Sequence, residues 1–285
     1  MNYLLLSVTT VALAMQSVFA KQYQRKVKGA SVLFSALSAM TALLFFWALS
    51  GFQLRIERSV LPYAVAFSVA YSASVLALVI AIGCGKLSLT ALINSYSLVI
   101  PTLYGVLFLD ESLKTVSYIG FALLAISLFM VNYAGKQAED GRITLKWVVA
   151  VVVAFIGNGM CSTVQKAQQL ACDGKYKNEF MVISLFIAVI LLSVAAVCRE
   201  KAVLKTSVKS GGYLAVLYGL CNGIVNLLVM VLGGRMPVSI MFPVISAGSI
   251  VLTAVISLTV YRERLNAVQL VGVLLGVLSI ICLNV

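Results

Sequence analysis

Ten long apolar stretches separated by short polar connections set the pattern of this chain: 2–20, 30–50, 60–82, 87–109, 116–134, 146–168, 179–198, 211–232, 237–259 and 266–284. Each holds roughly 18–23 residues. About 20 residues rising 1.5 Å apiece cross a hydrocarbon core of about 30 Å, so the pattern predicts ten membrane-spanning helices. Barrel strands are shorter and alternate in polarity, which these stretches do not. The first stretch ends on Ser17-Val18-Phe19-Ala20, which has the form of a signal-peptide cleavage site. Its start carries no basic side chain, however, and Lys21, Arg25, Lys26 and Lys28 follow the apolar run rather than precede it, so it is read as a retained helix.

The pattern is written twice. Sliding the chain by 152 positions pairs Glu111 with Glu263, Leu113 with Leu265, Val116 with Val268, Gly120 with Gly272, Leu123 with Leu275, Ser127 with Ser279 and Asn132 with Asn284. Ser17 to Lys21 echoes Ser162 to Lys166 at an offset of 145. Residues 1–135 hold five stretches and residues 144–285 hold five more, joined by the polar segment 135–143. A duplicated unit with an odd number of spans inserts in opposite orientations, so the expected fold is all-α and integral to the membrane, with ten transmembrane helices as two inverted five-helix repeats. Gly272 and Gly276 form a GxxxG face in the last stretch, the kind along which helix backbones approach in lipid. The fifth stretch of each half is accordingly expected to be scaffold or a homodimer face.

Composition agrees with a bilayer environment. The 285 residues are 62% apolar and 11% charged, with a mean hydropathy of +1.06; soluble domains average about 45–50% and about 25%. The net charge of +12 sits on Lys and Arg at the ends of the stretches, where long side chains reach headgroups. No nucleic-acid partner is therefore expected. Fourteen of the 21 basic residues fall on the side that follows the odd-numbered stretches and seven on the other. By the positive-inside rule this count puts both termini outside. The six cysteines form no CxxC pair and read as packing residues, with no metal site and no cofactor indicated.

Two five-span halves, each closing on an acidic turn and a glycine-bearing last helix (Glu111-Ser112-Leu113 to Gly120; Glu263-Arg264-Leu265 to Gly272), resemble the drug/metabolite transporter superfamily in its EamA-type branch. The resemblance covers essentially the whole chain. It implies helices 1–4 and 6–9 around a central cavity, peripheral fifth helices, rocking between inward- and outward-open states, and cytoplasmic termini, opposite to the charge count. It also implies a small-molecule substrate among amino acids, drugs, sugars and other metabolites, and a multi-pass location in the plasma (inner) membrane, in contact with its lipids.

The candidate chemistry is neutral. All nine acids fall in connections or at the ends of stretches, and the chain has no histidine, so the usual intramembrane proton carriers are missing. The embedded first-helix glutamate of four-helix multidrug members has no counterpart; the second half of the first stretch offers Gln16 instead. The stretches contain Gln16, Tyr71, Asn94, Tyr96, Asn158, Asn222, Asn226 and Ser246, taken together as the candidate substrate-binding set. Polar groups in hydrocarbon need partners, so each faces a neighbouring helix or a wet cavity. Asn222 and Asn226, four apart, share a helix face and present two amides to one ligand. Lys21 and Lys166 recur at equivalent places and are expected as charges at the cavity mouths.

These features point to a secondary transporter or facilitator for a small metabolite, working by alternating access through a central cavity. An enzyme is not expected and no catalytic residue is assigned: with no His, no intramembrane acid, no HExxH and no GxSxG, a nucleophile and base pair is missing. The alternative is a lipid flippase or membrane assembly subunit, which would show an apolar lateral opening.

Overall fold

The computed structural model describes residues 2–27, 31–53, 57–84, 90, 93, 94, 96–111, 114–132, 144–259 and 267–284. Ten α-helices of ten residues or more lie among them: α1 Asn2–Lys26, α2 Ser31–Leu49, α3 Leu61–Cys84, α4 Val99–Phe108, α5 Thr115–Asn132, α6 Leu145–Ala171, α7 Lys177–Glu200, α8 Leu204–Gly233, α9 Val238–Thr259 and α10 Ala267–Asn284. No strand occurs among the described residues. Six helical segments are long and apolar enough to cross a membrane: α1, α2, Arg58–Ala81, α6, α7 and α8. Four further apolar helical segments, Tyr96–Phe108, Thr115–Ser127, Val238–Ser249 and Leu270–Ser279, are shorter.

The largest departures of helix ends from the apolar stretches are extensions into polar sequence. The first helix runs on to Lys26, into its basic cluster, and α8 starts at Leu204 rather than 211, taking in Lys205, Thr206, Ser207 and Lys209. Hydropathy reports contact with lipid, whereas backbone hydrogen bonding continues into polar sequence wherever neighbouring helices support it; Ser207 is fully buried. The start of the stretch predicted over 87–109 falls largely outside the described residues. Its described end has a 3-10 turn, Tyr96–Leu98, leading into α4, with Pro101 in the first turn of the helix, where a missing N–H costs little.

The first five helices pack mainly on the second five. α1 lies on α8 and α9, α2 on α7 and α8, α3 on α6 and α7, α4 on α6 and α9, and α5 on α10. Moving every label by five reproduces these pairings.

Side-chain positions give the directions. The Tyr23 ring of α1 lies against Gly211 near the start of α8, and Leu6 packs with Val229 and Leu232 near its end, so α1 and α8 are antiparallel. The corresponding pair, α3 and α6, is antiparallel too: Ala81 meets Trp147 and Ala150, while Ala64 and Phe67 share a cluster with Cys161 and Val164. Close approach depends on small residues. A Cβ on Gly219 would sit 2.5 Å from the Ser38 carbonyl oxygen, and one on Gly157 would sit 2.8 Å from that of Ala70.

Two carboxylates tie the halves together at helix N-termini. Glu200, at the end of α7, accepts from the backbone N–H groups of Val32 (2.9 Å) and Leu33 (2.8 Å) at the start of α2. Glu111, just past α4, accepts from Val238 (3.0 Å) and Ser239 (2.9 Å) at the start of α9. An anion there meets otherwise unpaired donors and the positive end of the helix dipole. Every described Asp and Glu lies in a connection or within the terminal turn of a helix.

Candidate functional site

One face of α6 is polar over its last three turns. Ser162, Gln165, Lys166 and Gln169, spaced three and four apart, form one stripe. Val229, Met230 and Gly233 of α8 face it, as do Val238, Met241 and Phe242 of α9, and between them lies a narrow crevice with room for about one water molecule. The crevice sits where α6 and α8 end and α9 begins, at one end of the bundle.

Two amide relays feed this stripe, each starting from a backbone carbonyl. In the first, Asn226 Nδ2 donates to the Asn222 carbonyl oxygen (2.8 Å) and also meets Asn222 Oδ1, while Gln165 Nε2 donates to Asn226 Oδ1 (2.6 Å). In the second, Gln168 Nε2 donates to the Lys175 carbonyl oxygen (3.0 Å), and Gln169 Nε2 donates to Gln168 Oε1. A carbonyl only accepts, so the first bond of each relay fixes which way every later amide faces. The second relay leaves Gln169 Oε1 buried with no hydrogen-bond partner among the described residues. Lys175 is held in place by the left-handed residues around it, Asp173, Gly174 and Tyr176, which turn the chain from α6 into α7.

Lys166 is half-buried and gives one N–H to the Gly233 carbonyl oxygen at the end of α8, 2.6 Å away. A cation at the last carbonyls of a helix is electrostatically favoured. Lys21 lies on the part of α1 that leads to Tyr23 and hence to the start of α8. The two lysines therefore belong to opposite ends of α8, a helix about 45 Å long at 1.5 Å per residue.

The sequence-derived candidates divide into groups. Asn222 and Asn226 share a face, Asn226 accepts from Gln165, and Gln165 and Lys166 both line the crevice. Asn158 Nδ2 donates to Ser97 Oγ (2.6 Å), joining α6 to the turn before α4. Asn94 Oδ1 is buried without a partner among the described residues. The Tyr96 hydroxyl donates to the Ala125 carbonyl oxygen (2.5 Å) on α5, so it fastens the turn before α4 to α5. Tyr71 stacks on Phe67, ring centres 5.9 Å apart, and bridges two apolar clusters. Gln16 and Ser246 are buried on α1 and α9. Sequence reasoning missed Gln165, Gln168 and Gln169, buried to 4%, 0% and 4% exposure. The spacing of Gln165 and Gln169 around Lys166 was the available signal.

No family model and no curated protein matches the sequence. A solved crystal structure, described only as that of a protein, is similar with a TM-score of 0.80 over 99% of this chain and 95% of its own, at 13% identity. At that identity the likeness is one of fold alone.

Proposed function

We propose that this chain is a secondary transporter or facilitator of the EamA-type drug/metabolite class, moving a small metabolite across a membrane by alternating access. In this reading the ten helices are ten spans in two inverted repeats, 1–135 and 144–285. The exchange of packing partners between α1–α5 and α6–α10 supports it, as does the placement of α1 and α6 in opposite directions along α8. The observation that carries the proposal is the Gln165–Asn226–Asn222 relay beside Lys166, a polar seam inside an otherwise apolar bundle. Such a seam is costly in hydrocarbon unless it serves a pathway. With every described carboxylate at or beyond a helix end, the transport cycle needs no proton carrier of its own, and the helices rock around neutral amides.

Thermal-shift screening of a metabolite panel on purified protein, repeated on Asn222→Ala and Gln165→Ala, tests the site. Compounds that stabilise the parent and not the variants support it; equal stabilisation of all three removes these residues from it. Flux in liposomes tests the mechanism. A neutral or zwitterionic solute should move with or without a pH gradient, and strict gradient dependence for a neutral solute counts against the scheme.

A further inference from the structure

From the two carboxylate clasps, in a deepening that rests on the transport reading, we infer that Glu111 is a releasable latch on one end of the bundle while Glu200 holds the other end shut. Each clasp joins one half of the chain to the other, and the two sit at opposite ends of α8. Glu200 directly precedes the short turn Lys201–Val203 that leads into α8, and its partners Val32 and Leu33 open α2. Glu111 bonds Val238 and Ser239 at the start of α9, which follows the end of α8. Parting the halves at one end of α8 therefore breaks one clasp and can spare the other. Both clasps are formed in this conformation, and the crevice beside Lys166 has room for about one water, so the bundle is shut at the Glu111 end as well as at the Glu200 end.

The clasps are unequal. A shift of 152 positions sets Ala48 against Glu200, so one clasp is not the repeat of the other. Glu200 is the last residue of α7 and only 7% exposed, held by the helix that carries it. Glu111 is partly exposed and hangs on a turn. Asp110 before it takes a left-handed φ of 51°, and the N–H groups of Leu109 and Glu111 both return to the Gly105 carbonyl oxygen, at 3.2 Å each. Gly105 leaves the room that this clasp needs, since a Cβ there would come 2.5 Å from Glu111 Oε2 and 2.8 Å from Val238 Cγ2. Lys166 lies within electrostatic reach of Glu111 and is itself bonded to Gly233 O, so the carboxylate has a second partner on α6 once the start of α9 moves away. A carboxylate on a left-handed turn, short of full burial and with another cation at hand, is built to exchange partners. One sealed at the end of a long helix is not.

Thiol reporters read the two ends separately. In a cysteine-free background, Ser162→Cys places a reporter in the crevice beside Lys166, where room for about one water excludes a maleimide. Ser207→Cys places the other at a fully buried position near the start of α8, at the Glu200 end. On the purified full chain in detergent, Glu111→Ala should speed maleimide modification of Ser162→Cys by about tenfold or more and leave Ser207→Cys at its parental rate. Gly105→Ala, which displaces the carboxylate without removing its charge, should act in the same direction, and it carries the test if Glu111→Ala fails to fold. Glu200→Gln should act on Ser207→Cys alone. Monodisperse elution and a cooperative melt establish that each variant is folded. Equal rates in the parent and in the Glu111 and Gly105 variants, acceleration of both reporters by either variant, or acceleration of Ser162→Cys by Glu200→Gln overturns the inference. A latch that behaves as expected in a chain that moves no solute of the panel in liposomes would instead sink the transport reading and leave the latch standing. Solute flux with Ser162→Cys indifferent to Glu111→Ala and Gly105→Ala would do the reverse.

Discussion

The Ser127 hydroxyl of α5 donates to the Gly272 carbonyl oxygen of α10 at 2.6 Å, and the mirror arrangement, Ser279 to Gly120, closes at 2.8 Å. These four residues are the pairs that a shift of 152 positions superimposes. Two equivalent helices that trade the same bond in both directions lie antiparallel about a local twofold axis. The GxxxG face is consumed in this contact, with Gly276 placed so that a Cβ would come within 2.9 Å of Ser127 Oγ. The face expected as scaffold or as a dimer contact is thus covered from within the chain.

Because the two bonds are equivalent, Ser127→Ala and Ser279→Ala should cost nearly the same. Interhelical hydrogen bonds in membranes average about 0.6 kcal/mol and reach about 1.7. Apparent melting temperatures in detergent should fall slightly and equally for the two variants. A large drop for one and none for the other would show that the clasp is not shared.

The carboxylate caps should matter more. Glu200→Gln keeps one acceptor oxygen and turns an NH2 group toward the Val32 and Leu33 donors, so a loss of about 1–3 kcal/mol is expected. Glu111→Gln should cost less, because Glu111 is less buried than Glu200, itself only 7% exposed. Chemical and thermal melting of both variants checks the order.

Close helix approach makes a sharp contrast between two glycines of α8. Gly219→Ala drives a methyl group into the Ser38 carbonyl and should destabilise by about 1–3 kcal/mol. At Gly212 the nearest atom to a new Cβ is 3.9 Å away, so Gly212→Ala should be neutral or stabilising by up to about 1 kcal/mol. Similar melting temperatures for the two would contradict the packing described for α2 and α8.

Opposed directions for α1 and α6 have a readout in cells. In a cysteine-free background, Gln24→Cys and Arg235→Cys introduce exposed thiols at the end of α1 and just beyond α8. An impermeant maleimide should label them from opposite faces of the membrane. Labelling of both from one face would dismantle the inverted-repeat proposal.

Each of the ten described α-helices overlaps one of the apolar stretches, and the same criterion misjudged the ends. Lys205 to Lys209 looked like a loop and is helix, since packing rather than hydropathy sustains it there. The relays were harder to read. Asn222 and Asn226 were visible by spacing, yet their partner Gln165 sat near the end of its stretch, where polar residues usually mean headgroups. Half of each relay is a backbone carbonyl, Asn222 O or Lys175 O, and residue type does not encode those. Glu111 stood out as a repeated letter, but nothing in the repeat assigned it to a helix 127 positions away.

That last kind of long-range bond bears on how the protein is made. The N–H groups of Val32 and Leu33 find their acceptor only when residue 200 has been synthesised. At about 5–20 residues per second the ribosome takes roughly 10–30 s to cover that distance. Throughout that interval the start of α2 must borrow its hydrogen bonds from water, headgroups or the insertion machinery. A nascent chain truncated before Glu200 should therefore remain a substrate for quality-control proteases, however many of its helices have already entered the bilayer.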